Sequence, residues 1–210
     1  YEELFDGTIG TWNMNRHRVH LKDEAKPYHG KPYSIPKAQE QVLRNEFNRL
    51  VKIGILRKVN HSQRGAPCFA IPKKDGTIRF ISEFREMNKR VKRTPFSLSK
   101  IKDMLLKMEG FQHATSLDLN MGYYHIKLDA ASMKLCTIVL PWGKYEYNAL
   151  PMGLCSSCDI FQEKMSDLMT DLEFVRTYID DLLCITASTF DDHLESLDKV
   201  LKRLKQASLK

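Results

Sequence analysis

The sequence predicts an α+β fold in which antiparallel β-hairpins alternate with amphipathic helices. Two observations support this fold class. Turn signals, such as Asp75-Gly76 and the Pro-Trp-Gly-Lys run at 141–144, separate short runs rich in β-branched and aromatic residues, as expected for hairpins. Apolar residues also recur at helical spacing, for example in 36–53 and 157–173. Hairpins interleaved with helices are typical of α+β domains.

Four helices are expected. The first spans 36–53, with a proline in its first turn and a glycine after its end, and the second spans 99–108. The third spans 157–173, and Ser188 or Thr189 caps the last one. The last helix is expected to turn one apolar stripe inward: Leu194, Leu197, Leu201 and Leu204.

The strands are predicted between these helices, and the first 35 residues, which show little periodicity, are predicted to form an extended arm or linker. The predicted strands share short length and apolar or alternating character: 55–59, 68–71, 77–81, 111–119, 125–128, 136–140, 145–150, 174–179 and 182–186.

The composition narrows the classes of partner. Lysine and arginine number 33 against 26 acidic residues, a formal charge of +7, which favours nucleic acid but also suits a merely basic enzyme. No apolar run reaches the ~18 residues of a membrane-spanning helix, and no signal peptide is visible, so no membrane partner is expected. The five cysteines suit a reducing compartment, and the Cys155-x-x-Cys158 pair lacks the second pair or nearby histidine of a zinc site.

The segment 174–186 contains the most informative feature, two adjacent carboxylates between two apolar runs. Asp180 and Asp181 are expected near the tip of a hairpin whose strands are too apolar for the surface. Two carboxylates roughly 4 Å apart repel by ~4 kcal/mol at an effective dielectric constant of 20. The pair therefore requires a proton or a cation if it is even partly buried, and Mg²⁺ is the natural choice. The alternative is an acidic turn that faces water.

A third carboxylate, Asp118, lies near the end of another predicted strand, between two leucines. If its strand is a neighbour of the acidic hairpin in one sheet, all three acids meet at one edge. Such a cluster can hold two divalent ions ~3.5–4 Å apart, the arrangement used in phosphoryl transfer. Lys73 and Lys74 at the tip of the 72–76 hairpin, with Arg79 just inside its second strand, would supply cations for a polyphosphate. The basic run 88–93 is either a solvated loop or a nucleic-acid contact.

Several segments resemble the reverse transcriptase family, in the family's order. Tyr178-Ile179-Asp180-Asp181 resembles its Y-x-D-D box, and 117–126, LDLNMGYYHI, resembles its first catalytic box. The segment 71–90 resembles the fingers hairpin, and 150–162, LPMGLCSSCDIFQ, resembles the box that positions template and nucleotide. With KPYSIP at 31–36, these segments are most similar to the polymerase of gypsy-type LTR retrotransposons, and the resemblance covers roughly 30–205.

This resemblance implies an RNA-directed DNA polymerase, a nucleotidyltransferase that adds dNTPs to a primer 3′-OH by two-metal phosphoryl transfer. It implies two Mg²⁺ ions, with Mn²⁺ as a possible substitute, and assigns the metal site to four residues: Asp118, Leu119 through its carbonyl, Asp180 and Asp181. It assigns dNTP contacts to Lys73, Arg79, Tyr123 and Met152, with Tyr123 as the steric gate against a ribose 2′-OH. It assigns template or primer contacts to Tyr178, Gly153, Gln162, Arg85, Lys89 and Arg90.

The resemblance also implies a domain organisation. Residues 1–35 would be the N-terminal arm, 36–110 mainly fingers, and 111–210 mainly palm, with an antiparallel ferredoxin-like sheet that has helices on one face. Since the chain begins at Tyr1, we expect it to be part of a longer polyprotein whose thumb, connection and RNase H segments lie beyond Lys210. Such a protein would act in the cytoplasm, within a virus-like particle, on an RNA or DNA template with its primer.

Three departures from the family pattern matter. Cys158 stands where the family usually has proline, Glu83 stands where it usually has aspartate, and Pro72 precedes Lys73 where many relatives have another lysine. None of them removes a predicted metal ligand. Two other functions remain possible from the sequence: an inactive or truncated retroelement remnant that only binds nucleic acid, and an RNA-dependent RNA polymerase on a similar palm. The aromatic Tyr123 argues against the second.

Overall fold

The computed structural model describes residues 1–73, 78–97 and 110–210. Within these ranges it contains five α-helices and eight strands, and it divides into two compact units. We call the first the carboxylate unit (1–14, 94–125 and 158–210) and the second the five-stranded unit (15–93 and 126–157). Each unit is assembled from separated stretches of chain, whereas the predicted domains are consecutive ranges. The α+β prediction is confirmed.

The five-stranded unit contains one mixed sheet and three helices. Its strands, in spatial order, are β1 (Leu56–Val59), β6 (Gly143–Tyr147), β5 (Thr137–Leu140), β2 (Ala66–Pro72) and β3 (Ile78–Ser82). Its helices are α1 (Lys37–Lys52), α2 (Arg85–Asn88) and α3 (Ala130–Leu135). All pairings are antiparallel except β2 with β5, which is parallel.

The apolar face of α1 anchors the core of this unit. Phe47 is fully buried, and its ring lies 4.9 Å from Phe80 on β3 and 5.2 Å from Tyr145 on β6. Aromatic pairs at these separations contribute about 0.5–1.5 kcal/mol each beyond the area they bury. The helix predicted at 36–53 is confirmed as α1, and the predicted strands that carry its aromatic partners are confirmed as β3 and β6.

The carboxylate unit is built on a three-stranded antiparallel sheet. Its strand order is β4 (His113–Asp118), β8 (Asp181–Thr186) and β7 (Val175–Tyr178). Two of the helices in the described ranges belong to it: α4 (Ser157–Leu168), whose first residue falls in the other unit, and α5 (Phe190–Gln206). The Thr189 hydroxyl caps α5, as predicted, in a capping box with Asp192.

The structure differs from the sequence-based prediction at four elements. The segment predicted as a strand at 125–128 begins in a 3-10 turn (Gly122–His125), and Lys127 and Leu128 form only isolated bridges. The short helix α3 was not predicted. Helix α4 ends at Leu168 and not at 173, because the backbone then tightens into turns: the Thr170 N–H donates to the Asp167 carbonyl and the Leu172 N–H to the Met169 carbonyl.

The fourth concerns the stripe of α5. Leu194 is 46% exposed, whereas His193 beside it is 3% exposed and faces the sheet. Two hydroxyls satisfy the imidazole there: Nε2 is hydrogen-bonded to Thr115 Oγ1 at 2.8 Å and Nδ1 to Thr186 Oγ1 at 2.9 Å. A buried polar group is tolerated when its hydrogen bonds are made. His193 can therefore occupy the buried position at this turn of α5, and Leu194 is left on the exposed side.

The helix predicted at 99–108, Asp75-Gly76 and Lys74 lie outside the described residues. The N-terminal segment has no α-helix or strand, as expected for an arm, but Leu4 and Trp12 are buried in the carboxylate unit. None of the helices described is long and apolar enough to cross a bilayer.

We predict that His193→Ala destabilises the fold by about 2–4 kcal/mol. The substitution removes two buried hydrogen bonds and leaves a cavity between α5 and the sheet. Leu194→Ala is the matched control and is expected to change stability by no more than about 0.5 kcal/mol, because its side chain is largely exposed. Urea denaturation measures both, and equal losses would contradict the assigned orientation of α5.

Candidate active site

Pairing between β4 and β8 brings the predicted acidic residues together. The register runs from His113 opposite Thr186 to Asp118 directly opposite Asp181. Asp180 precedes β8 in the turn, where its carbonyl accepts a hydrogen bond of 3.0 Å from the Leu119 N–H. The condition set by the sequence, that these two strands are neighbours, is confirmed.

Strand alternation places two of the acids on the open face of the sheet. Along β4, Ala114, Ser116 and Asp118 are exposed, whereas Thr115 and Leu117 between them are half-buried. Since directly opposite residues of an antiparallel pair project on the same face, Asp181 shares the face of Asp118, and it too is exposed. The hydroxyl contacts to His193 show that α5 covers the other face. The sheet thus has a packed side and a carboxylate-bearing side.

The three carboxylates interact electrostatically. Partial burial, followed by the charges of Asp180 and Asp181, raises the pKa of Asp118 above its ordinary value. The like charges are therefore close enough to disfavour ionisation of Asp118, and a cation would relieve this repulsion. As the side chains stand, no group of three acidic, histidine or cysteine side chains in the described ranges is arranged to hold a metal ion.

The turn between β7 and β8 is backbone-strained and is held by Gln162. Ile179 has φ +56°, a left-handed conformation that a β-branched residue rarely adopts. Its N–H donates a 2.6 Å hydrogen bond to Gln162 Oε1. Gln162 Nε2 donates to the carbonyl (3.1 Å) and the hydroxyl (2.9 Å) of Thr177 on β7. Gln162 therefore fixes the turn that presents Asp180.

Gln162 and Tyr178 were both predicted to contact template or primer. Gln162 is only 5% exposed, and its amide is engaged within the protein. Tyr178 is half-buried at the end of β7, opposite Asp181. A nucleic-acid contact by either residue remains a prediction.

Gly122 packs directly against the acidic turn. A Cβ built on Gly122 would lie 3.0 Å from Asp180 Cβ and 3.1 Å from Phe161 Cζ, both tighter than ordinary contacts. The close approach therefore requires glycine at this position. Sequence reasoning assigned Gly122 only to a turn, and no local pattern shows that its partner lies far along the chain, at the acidic pair.

We predict that Gly122→Ala costs about 1–3 kcal/mol in stability and lowers at least about tenfold the polymerase activity that the family resemblance implies. The added methyl must displace Asp180 or Phe161, and Asp180 Cβ moves only with its backbone. Primer extension and urea denaturation together measure the effect.

Gly54→Ala is the control for a glycine substitution that costs stability without contacting the acidic turn. Gly54 has φ +74° with no atom within 4 Å of a built Cβ, so its alanine variant should lose stability alone. Full activity in Gly122→Ala would contradict the close packing of Gly122 on the acidic turn.

Tyr123, the predicted steric gate, is half-buried in the carboxylate unit. It lies in the 3-10 turn that follows β4, and its ring centroid is 5.3 Å from that of Phe161. Leu119, the predicted carbonyl ligand, lies directly after β4 and is 3% exposed. The carboxylate unit thus contains all the predicted metal ligands and the predicted gate.

The remaining predicted contacts belong to the five-stranded unit. Lys73 and Arg79 are exposed, Lys73 directly after β2 and Arg79 on β3. Met152 is 43% exposed, and Gly153, with φ +86°, accepts a 2.9 Å hydrogen bond from Asn88 Nδ2 through its carbonyl. The exposed side chains are available to a ligand.

The three basic residues predicted to contact template differ in availability. The side chain of Arg85 is 80% exposed and pairs with Glu83, and that of Lys89 is 70% exposed and pairs with Glu86. Arg90 is more enclosed, at 24%, and donates to Glu86 and to the Lys26 carbonyl. Surface pairs of this kind contribute little energy, so Arg85 and Lys89 can exchange their partners for phosphates.

A strained hairpin that carries two carboxylates, paired in register with a third on the open face of an antiparallel sheet, is an arrangement suited to metal-assisted phosphoryl transfer. The family model described as "Reverse transcriptase (RNA-dependent DNA polymerase)" matches residues 71–210. The chain therefore belongs to the reverse transcriptase family, whose members are RNA-directed DNA polymerases and nucleotidyltransferases.

Similar proteins agree with this family. The Transposon Tf2-3 and Tf2-4 polyproteins of Schizosaccharomyces pombe are each 29% identical over 179 residues, which is 84% of this chain and 13% of each polyprotein. The chain thus spans only a small part of the length of these relatives.

Solved structures show the same fold. The prototype foamy virus protease-reverse transcriptase (CSH mutant) superposes with a TM-score of 0.90 at 25% identity, covering 100% of this chain and 28% of that one. The foamy viral enzyme in complex with an RNA/DNA hybrid superposes at 0.89 with 22% identity, covering 97% of this chain and 27% of that one. The predicted fold class, fingers plus palm with an antiparallel palm sheet, is confirmed.

Proposed function

We propose that this chain is the polymerase core of a gypsy-type LTR retrotransposon, adding dNTPs to a primer 3′-OH under the direction of an RNA or DNA template. The observation that carries the proposal is the pairing of Asp118 with Asp181 in register, with Asp180 in the adjoining turn. Family membership and similarity to the Tf2 polyproteins support the same reaction.

The donor set fits divalent metal. Carboxylate oxygens are the preferred ligands of Mg²⁺. The pKa of Asp118 is raised by partial burial and, after that, by repulsion from Asp180 and Asp181, which a divalent cation would offset. We assign Asp118, Asp180, Asp181 and the Leu119 carbonyl as the groups that hold two Mg²⁺, with Mn²⁺ as a substitute. When bound, the ions would stabilise negative charge on the attacking and leaving oxygens.

The other predicted residues would bind and orient the substrates. Lys73 and Arg79 would hold the triphosphate by charge-assisted hydrogen bonds, and Met152 would lie against the nucleotide. The ring of Tyr123 would occupy the space that a ribose 2′-OH needs, so that dNTPs are selected over rNTPs. Each role follows from the resemblance of this chain to the family, and the exposure of Lys73, Arg79 and Met152 is compatible with it.

The nucleic-acid partner is proposed from charge and from similarity. Two foamy viral structures are described as complexes with double-stranded DNA and with an RNA/DNA hybrid. The formal charge of +7 on this chain would attract a phosphate backbone, and binding should weaken steeply with salt. The thumb, connection and RNase H segments of one polyprotein, and a cytoplasmic virus-like particle, complete the proposed context.

Primer extension tests the function. The substrate is poly(rA) annealed to oligo(dT), with dTTP and Mg²⁺, and wild type is compared with Asp181→Asn. The substitution keeps the shape of the side chain but removes a charged ligand. Extension by the wild type alone supports the polymerase and the carboxylate site together, and equal extension by the variant refutes the assignment of Asp181.

A second measurement separates catalysis from binding. Fluorescence anisotropy of a labelled primer–template, at increasing salt, reports whether the chain grips nucleic acid without extending it. If the chain binds the primer–template but does not extend the primer, both assays are repeated on a longer polyprotein product that contains this chain and the thumb. Binding without extension there as well would refute the polymerase and establish the alternative, a remnant that only binds nucleic acid.

A further inference from the structure

The hydroxyl of Tyr123 contacts a thiol that the family resemblance does not anticipate. Tyr123 Oη lies 3.1 Å from Cys158 Sγ, within hydrogen-bond distance of sulfur. The flank of the same ring packs on Phe161, with centroids 5.3 Å apart and the planes inclined by 56°. The aromatic ring is thus held at two points, at its flank by Phe161 and at its tip by Cys158.

Both contacts come from one face of one helix. Cys158 and Phe161 are three residues apart on α4, and residues at this spacing are neighbours on a helix surface. The helix is itself tied to the acidic hairpin, because Gln162 binds the Thr177 carbonyl and the Ile179 N–H. A shift of Tyr123 relative to the acidic turn is therefore opposed by both contacts.

The chemistry of the pair favours a defined hydrogen bond. A phenol is a strong donor, and a thiol is a weak donor and a weak acceptor. Burial, with the hydrogen bond to Cys158 acting in the same direction, keeps the pKa of the Tyr123 hydroxyl far above its usual value. The phenol therefore retains its proton and can donate a hydrogen bond to the sulfur.

We propose that Cys158 is a positioning residue for sugar discrimination: its thiol anchors the Tyr123 hydroxyl and so fixes the ring that excludes a ribose 2′-OH. The inference rests on the proposed function, since it refines how that site selects its nucleotide. Proline, which the family usually has at this position, offers no side-chain hydrogen-bonding group. In this chain, the Cys158 thiol makes a contact with the Tyr123 hydroxyl that a proline at position 158 could not make.

A cycle of four proteins tests the proposal: wild type, the two single variants and the double variant. The measured quantity is the ratio of kcat/KM for rUTP to that for dTTP on poly(rA)/oligo(dT). Cys158→Ala should raise this ratio about threefold to tenfold, the range that a neutral hydrogen bond of ordinary strength supplies. Tyr123→Phe should raise it similarly, and the double variant should raise it no further, because both substitutions remove the same bond. Cys158→Ser should restore a ratio close to that of wild type.

Cys136→Ala is the matched control for loss of a buried thiol. Cys136 is fully buried in the five-stranded unit, so its removal should cost stability and leave the rUTP/dTTP ratio unchanged. An unchanged ratio in Cys158→Ala, or multiplying effects in the double variant, would overturn the role of Cys158 while leaving the polymerase intact.

A readout that needs no activity distinguishes this inference from the proposed function. The midpoints of urea denaturation of the same four proteins should show the same non-additivity, because the contact exists without substrate. Non-additive midpoints with no incorporation of dTTP, even in a longer chain, would refute the proposed function and the discrimination role with it. Additive midpoints would overturn the thiol–phenol bond itself.

Discussion

Asp118→Asn should abolish primer extension and, without metal, stabilise the protein. The loss of activity is expected to be about a thousandfold or more, since a ligand of the proposed metal site supplies several kcal/mol of transition-state charge stabilisation. The gain in stability follows from the removal of a partly desolvated charge that two like charges also repel. These opposite effects are expected because the proposed site carries repulsion that only its cation relieves.

The pH dependence of this gain has a defined sign. The pKa of Asp118 is raised in the folded state, so the folded protein prefers the protonated carboxyl more strongly than the unfolded chain does. Wild type therefore loses stability relative to Asp118→Asn as pH rises from the ordinary pKa of aspartate through the folded-state pKa. The advantage of the variant should be complete at neutral pH and should vanish below the ordinary pKa of aspartate.

Urea denaturation in EDTA, repeated at several pH values, measures this difference. Addition of Mg²⁺ should then raise the midpoint of wild type more than that of Asp118→Asn, because a ligand that binds only the folded state stabilises it. Asp191→Asn is the control: Asp191 is exposed in the first turn of α5, where a negative charge is favourable, so its loss should be slightly destabilising. A response of Asp118→Asn to Mg²⁺ equal to that of wild type would contradict the metal assignment.

Gln162→Ala should destabilise the protein by about 2–4 kcal/mol and reduce primer extension beyond what that loss explains. The substitution leaves the Ile179 N–H and the Thr177 carbonyl without their buried partner. The left-handed conformation of Ile179 costs roughly 1–2 kcal/mol and persists only while its surroundings enforce it. Without Gln162, the turn should relax and carry Asp180 away from Asp118.

Gln41→Ala is the matched control, because Gln41 lies on α1 and makes one exposed hydrogen bond of 2.9 Å to Asn45. It should change stability by no more than about 0.5 kcal/mol. Primer extension is measured under conditions far from the unfolding transition of each variant. The folded fraction is then the same in wild type and in the variants. Normal extension by folded Gln162→Ala would show that Asp180 does not depend on the Gln162 contact.

The hairpin of β7 and β8 illustrates what local sequence predicts well. Apolar runs on both sides of Asp180-Asp181 indicated two strands, and the strands lie at 175–178 and 181–186. The periodicity of 36–53 likewise predicted α1 to within a residue at each end. Both patterns work because burial of one face is a property of neighbouring residues along the chain.

Short or irregular elements were predicted poorly. Helix α3 has only six residues, and its cap is a single bond from the Ser132 N–H to the Asp129 carboxylate, which leaves no periodic signal. His193 was overlooked as a core residue because the two threonine hydroxyls that satisfy it come from β4 and β8. Their identity as partners exists only in the folded sheet.

The sequence alone determined the chemistry available to this protein: three aspartates, an excess of basic residues, an aromatic ring at the gate position and the order of motifs that marks the reverse transcriptase family. The tertiary structure decided which of these groups meet. The register of β4 on β8 sets Asp118 opposite Asp181. Gly122, which has no side chain, lets Asp180 pack closely against it. Helix α4 places Gln162 against the turn and Cys158 against Tyr123. These contacts join residues far apart in the chain, and strand register and packing specify them, whereas local periodicity carries no information about them.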